Sequence, residues 1–143
     1  SIANNILTAC TFNTVVTDDL NVLTGTSPYS LFTIQTTGNY FITGTAGFGT
    51  GAVGYRQLNI EVISTTLGTS IVVASQYVSA TGAGYKTLEI GTILRLYPND
   101  QVRLTVIQTN GAALSLSTNS TVNGTPDTTF AIALITPQPQ SIV

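Results

Sequence analysis

Hydrophobic and polar positions along the chain alternate with a period of two, or gather into short β-branched runs, in segments of about five to ten residues. No stretch keeps a helical period with capping residues at its ends. The pattern predicts an all-β chain with strands over residues 8–16, 30–35, 39–46, 56–64, 69–78, 86–96, 101–109 and 128–136, and a short extra strand at 113–117. The segments "SIVVAS" and "TFAIALI" are apolar at nearly every position, as expected of strands covered on both faces. In so small a protein the second cover is expected to be another subunit.

The connections between these strands alternate in length. Residues 35–38, 65–68 and 97–100 are short turns, whereas 17–29, 47–54, 79–85 and 118–127 are long and rich in Gly, Ser, Thr and Asn. In an antiparallel sandwich successive connections fall at opposite ends, so one end collects the turns and the other the long loops. An even number of strands then places both termini at the short-turn end. The four long loops form the candidate binding surface, since rigid β scaffolds usually carry recognition on their loops.

Composition narrows the partners. Charged residues make up 7% of the 143-residue chain and the formal net charge is -2, against roughly 25% charged residues in ordinary soluble domains. Such a chain exerts little pull on phosphate backbones or anionic lipid, so neither nucleic acid nor membrane insertion is expected. No apolar run approaches the roughly 18 residues that span a bilayer. "SIANNILTAC" lacks the basic and apolar regions of a signal peptide, and a chain that starts with Ser and holds no Met is expected to be a fragment of something longer. Length fits one domain, 1–143, with 1–7 and 137–143 as terminal tails.

Chemistry is limited by what is missing. With no His there is no Ser-His-Asp or Cys-His arrangement and no histidine metal site. The lone Cys10, in "TACTF", reads as a buried inert thiol pointing inward from a strand. Acidic residues are scattered, so no pair of carboxylates is set up as acid and base, and no catalytic residue is assigned. Glu61 and Glu89 read as polar strand positions and Asp100 as a turn former. Asp18 and Asp19 are adjacent at the start of the first long loop and are the only candidate metal position; without a D-x-D-x-D-G pattern, such a pair is usually a solvated turn. Arg56, Lys86, Arg95 and Arg103 are too few and dispersed for a basic patch, and are expected in subunit salt bridges or solvent.

Aromatic residues fall near the predicted loops at Tyr29, Phe48, Tyr55, Tyr77 and Tyr85. A tyrosine ring stacks on the apolar face of a sugar while its hydroxyl takes a hydrogen bond, and Asn, Thr and Ser supply further partners. The candidate ligand-binding set is Phe48, Tyr55, Tyr29 and Tyr85 with Asn119 and Asn123; the plainer reading packs the rings beneath the loops or between subunits. Asn119-Ser-Thr and Asn123-Gly-Thr are glycosylation-type patterns, which mark an exposed loop. "GFGTGAVG" holds Gly49, Gly51 and Gly54 in a G-x-G-x-x-G spacing. A dinucleotide cradle needs a helix after the glycines, and the strand-like "YRQLNIEVIS" follows instead, so a crossing between sheets is expected there.

Three segments resemble the C1q and tumour-necrosis-factor-like jelly-roll superfamily. "YSLFTIQTTGNYFITG" is similar to its apolar strand, turn and Gly-x-Tyr-x-Phe pattern, with Gly38 and Tyr40 in place and Phe41 standing for the later aromatic. "LEIGTILRLYPNDQVRLTV" is similar to its Gly-Asp turn followed by Val-x-Leu, with Asn99 in place of Gly and Asp100, Val102 and Leu104 matching. "TTFAIALI" resembles its closing strand, although Ile132 stands where the family has Gly. The resemblance runs over residues 30–135 and extends to the trimeric heads of bacterial collagen-like surface filaments and of phage fibres.

The resemblance implies an antiparallel jelly-roll sandwich of about eight to ten strands, assembled as a homotrimer whose inner sheets pack about a threefold axis. It implies Tyr40, placed in the core or at the threefold axis, with Ile42, Phe130 and Ile132 as interface residues, calcium at Asp18 and Asp19 as the one conceivable cofactor, and an extracellular cell, spore or virion surface. The function implied is a fibre head that trimerises and attaches to a surface ligand, a glycan or a protein receptor. The alternatives are a purely structural capsid or surface-layer module, and a cytokine-like protein ligand.

Overall fold

The computed structural model describes residues 1–15, 18, 20, 27–82, 84–116 and 128–137. Its strands are β1 (Thr8–Ala9), β2 (Phe32–Thr33), β3 (Gly38–Phe48), β4 (Tyr55–Ser64), β5 (Thr69–Ser79), β6 (Lys86–Leu96), β7 (Gln101–Gln108) and β8 (Thr129–Pro137). All pair antiparallel. In one sheet β4 lies between β5 and β7, and β1 and β2 share the far edge of β7; in the other β3 lies between β6 and β8.

Alternation along each strand decides which side chains meet between the sheets. Tyr40, Ile42, Ala46 and Phe48 of β3 and Leu88 and Leu96 of β6 pack with Leu58, Ile60 and Val62 of β4 and Val102, Leu104 and Val106 of β7, all buried in one cluster. Tyr40 keeps its hydroxyl satisfied in this core by donating to the Thr36 carbonyl at 2.6 Å. Phe12, Phe32 and Phe130 fill the β8 side with ring centroids 4.6 to 6.2 Å apart.

Expected and observed strands agree closely from residue 38 onward. The differences lie earlier and at 113–117. Among the described residues of 8–16 only Thr8–Ala9 form a strand, because Phe12 leaves the β7 edge to bridge Tyr29. Leu114 and Leu116 make isolated bridges to Ile2 and Phe48 rather than a strand. The β6–β7 turn is as the residues required: Asn99 takes a φ of 70°, and the Asp100 carboxylate accepts the Tyr97 N–H at 3.0 Å.

The short turns and most of the long connections sort to opposite ends, but the expected 17–29 loop does not, since it leaves partway along the β7 edge between Phe12 and Tyr29. The β2–β3, β4–β5 and β6–β7 turns lie at one end, and the β3–β4 and β5–β6 loops at the other, together with the start of the chain between β7 and β8. The placement of the termini is a correction. β1 and β2 both run antiparallel to β7 and therefore parallel to each other, end to end along its edge. The extra segment shifts the strand parity by one. Ile2 consequently pairs with Leu114 at the long-loop end, whereas Pro137 pairs with Gly38 at the short-turn end. Residues 1–7 are not a loose tail either: Ile2 is buried in the core, and the Asn5 N–H donates to the Gln108 carbonyl.

Candidate functional site

The long-loop end is organised by two fully buried polar side chains that face each other across β4 and β7, Arg56 and Gln108. Arg56 has the same strand parity as Leu58, Ile60 and Val62 and so points inward, where it turns its guanidinium into the Gly-rich loop. Nη1 donates to the carbonyls of Val53 at 3.1 Å and Tyr55 at 3.0 Å, and Nη2 to that of Gly51 at 3.1 Å. Among the described residues Nε has no partner, and no carboxylate pairs with the group. Burial pulls the guanidinium below its ordinary pKa, but arginine stays charged throughout the accessible range. This corrects the expectation of a subunit salt bridge or solvated position for Arg56.

The glycines of "GFGTGAVG" serve that arrangement. A Cβ on Gly51 would run into Nη2 of Arg56 and lie 2.6 Å from Oδ1 of Asn110, and Gly54 has a φ of 75° with the Thr109 carbonyl against its open face. The loop presents carbonyls inward to a cation, the opposite polarity to a phosphate cradle. Gln108 does the same for the neighbouring segments, donating to the carbonyls of Ile2 at 3.1 Å and Ala112 at 2.8 Å and accepting the Asn110 N–H at 2.7 Å. The described part of the loop end is therefore held from inside.

The predicted ligand residues separate. Tyr55 and Tyr85 lie at the long-loop end, half-buried and 44% exposed respectively. Phe48 is 0% exposed and belongs to the core, so its ring is not on the loop surface; as the even-numbered partner of Tyr40 and Ile42 on β3 it must share their face. Tyr29 sits partway down the β7 edge opposite Phe12, and with Asp18 lines a groove of about 1240 Å³ between that edge and β8. Asn119, Asn123 and Asp19 lie outside the described residues. Among the described residues no three His, Cys, Asp or Glu side chains come together as a metal site.

The predicted interface residues face the other way. Tyr40 and Ile42 are buried between the sheets, and Phe130 and Ile132 pack against the same core. Both faces of these strands are apolar, and the outward one carries the alternate residues. Phe41 stands directly opposite Ile93 on β6 and Ala133 on β8, and Phe41, Ile93 and Ile135 are 44%, 64% and 49% exposed. An apolar row thus crosses all three strands on the outside of the sheet.

The outward face of the five-stranded sheet is different. Gln57 Nε2 donates to Asn59 Oδ1 at 2.8 Å and to Ser75 Oγ at 2.9 Å, Ser75 donates to Asn59 Oδ1 at 2.8 Å, and Asn59 Nδ2 donates to Thr105 Oγ1 at 3.4 Å. One rung further Glu61 accepts from Arg103 Nε at 2.6 Å and from the Ser70 hydroxyl. The Arg103 bond holds the Glu61 carboxyl below its ordinary value, against the opposing effect of burial. Arg95 lies over the Tyr97 ring, 5.3 Å from its centroid. Cys10 is buried, and burial pushes its thiol up to about 12, as suits an inert side chain.

Two antiparallel sheets connected in this order make the chain a jelly roll of the tumour-necrosis-factor type. Among solved structures it is similar to a crystal structure of murine APRIL at pH 5.0, with a TM-score of 0.60 and 11% sequence identity over 75% of this chain and 74% of that one. At such identity the likeness is one of fold. No family model and no curated protein matches the sequence. Among the described residues no helix is long and apolar enough to cross a membrane.

Proposed function

We propose that the chain is the non-enzymatic homotrimeric head of an extracellular surface or virion fibre, which holds three chains together and attaches the fibre to a surface ligand, with a glycan favoured. The observation that carries this reading is the apolar row Phe41, Ile93, Ala133 and Ile135 on the outside of the three-stranded sheet. A continuous apolar patch is poorly tolerated in water and marks an interaction face. Glu89 and Thr45 bound it towards the loops, and Asn39 and Arg95 towards the turns, a polar rim around an apolar centre. The threefold stoichiometry follows the resemblance described above. A cyclic assembly on this face leaves the five-stranded sheet and the loop end in solvent, available to a ligand.

Sedimentation equilibrium at micromolar concentration tests the assembly. The wild-type chain is expected at three times its 14.9 kDa mass, and Phe41→Asp at the monomer mass with its strand content retained, because Phe41 is not part of the core. A wild-type monomer, or an intact trimer in Phe41→Asp, overturns the assignment.

A further inference from the structure

We propose that the outward face of the five-stranded sheet, centred on Tyr77, is a docking platform for a neutral saccharide; this rests on the attachment reading above and moves its site from the loops to a sheet face. Tyr77 is 74% exposed, higher than Phe41 or Ile93, and it projects from a strand paired with β4 along its whole length, not from a loop. Its direct partner is Gln57, whose other neighbour is Ile107. Tyr55, opposite Ser79, shares the same face one step along β4, and diagonal neighbours on a sheet lie within reach of aromatic side chains. Two phenol rings with an amide between them therefore lie on a rigid surface, the combination that accepts the C–H face of a sugar while offering hydrogen bonds at its edge.

The polar groups support the same class of ligand. Both amide hydrogens of Gln57 are spent on Asn59 and Ser75, which fixes the orientation of the amide and leaves its carbonyl oxygen as an acceptor beside Tyr77. Ser79 adds an exposed hydroxyl from the same edge strand, while that of Ser75 is held by Asn59 and Gln57. Among the described residues, those sharing this end of the face with Tyr77 and Gln57 are uncharged, and Lys86 lies beyond it against the Thr81 carbonyl. Further along the face, Glu61 and Arg103 neutralise each other at 2.6 Å. A phosphorylated or sulfated ligand finds no cation there, whereas a hydroxyl-rich neutral chain finds donors and acceptors already ordered.

The test uses the isotopically labelled full chain titrated with neutral tetrasaccharides of glucose, galactose, mannose and N-acetylglucosamine, followed by amide NMR shifts. The proposal expects at least one tetrasaccharide to shift Gln57, Ser75 and Tyr77 together. Tyr77→Ala is expected to weaken that binding by about tenfold, and Tyr77→Phe, which keeps the ring, by no more than about threefold. Tyr77 is mostly solvent-exposed, so an unchanged melting temperature in Tyr77→Ala verifies the fold. Shifts confined to Tyr85 and residues 49–54, surviving Tyr77→Ala, overturn this site while the attachment reading stands. Silence across the panel from an intact trimer overturns the saccharide; a monomeric wild-type chain is instead the failure of the underlying reading.

Discussion

Replacing Arg56 by Met removes the guanidinium while keeping an unbranched apolar stem of similar reach. Three part-buried carbonyls, those of Gly51, Val53 and Tyr55, each lose a donor, and only that of Tyr55 keeps another, the Thr109 N–H. At about 1 kcal/mol for each of the two groups left unsatisfied, Gly51 and Val53, the loss amounts to about 2 kcal/mol. Two effects reduce it: the cost of burying a charge disappears, and so does the unpartnered Nε. One adds to it, because the backbone bonds that anchor the same loop, Gly49 N–H to the Ser115 carbonyl and Ala80 N–H to the Gly54 carbonyl, loosen with it. The net expectation is about 1–3 kcal/mol, or a urea midpoint lower by about 0.5–1.5 M. Urea unfolding at fixed protein concentration measures it, since assembly contributes to apparent stability. Arg56→Lys is expected to fall between the two, a single ammonium being unable to span three carbonyls. A loss below about 0.5 kcal/mol in Arg56→Met would show that those carbonyls find water and that the loop is not held from inside.

Glu61 is held below its ordinary value of 4.5 by Arg103 in the folded chain, so its contribution is present above about pH 4.5 and is lost as pH falls through the folded value. Glu61→Gln should therefore flatten the acid limb of a stability–pH curve; an acid limb of unchanged steepness argues against the pair. For Cys10 the sign is reversed: its thiol is raised from 9.0 to about 12, so stability is full below pH 9 and declines as pH rises towards 12. Cys10→Ala should remove that alkaline component, and native Cys10 should react with a disulfide reagent at pH 8 only as fast as the chain opens. Rapid labelling without opening would place the thiol at the surface.

Much of this architecture is legible in the residues themselves. Strand positions from 38 onward follow from alternation and turn chemistry, and Asn99 was readable as a left-handed turn residue because its short side chain tolerates that backbone. Which face points inward was not legible where both faces are apolar, as in "NYFITG" and "TFAIALI". Tyr40, Ile42, Phe130 and Ile132 thus appear as interface residues from sequence, whereas Phe41, Ile93 and Ile135 occupy the exposed side. Parity settles two inward placements. Phe48 shares the phase of Tyr40, and Arg56 the phase of Leu58 and Ile60, so both inward placements were implied once one residue on each strand was assigned to the core. The direction of β1 relative to β2 has no such signal, because it depends on where Phe12 leaves the β7 edge. Tyr77 was visible as an aromatic near a loop, but its place in a flat polar ladder needed the register of β4 with β5 and β7.

Hydroxyl-radical footprinting of the wild-type chain at micromolar concentration tests most directly which sheet is buried between subunits. In a single chain Phe41 and Tyr77 are 44% and 74% exposed, so both would be modified readily. The account predicts strong protection of Phe41, Ile93 and Ile135 with Tyr77 freely modified, and loss of that protection in Phe41→Asp at the surviving positions. Free modification of Phe41 together with protection of Tyr77 would contradict it, by placing the subunit interface on the opposite sheet.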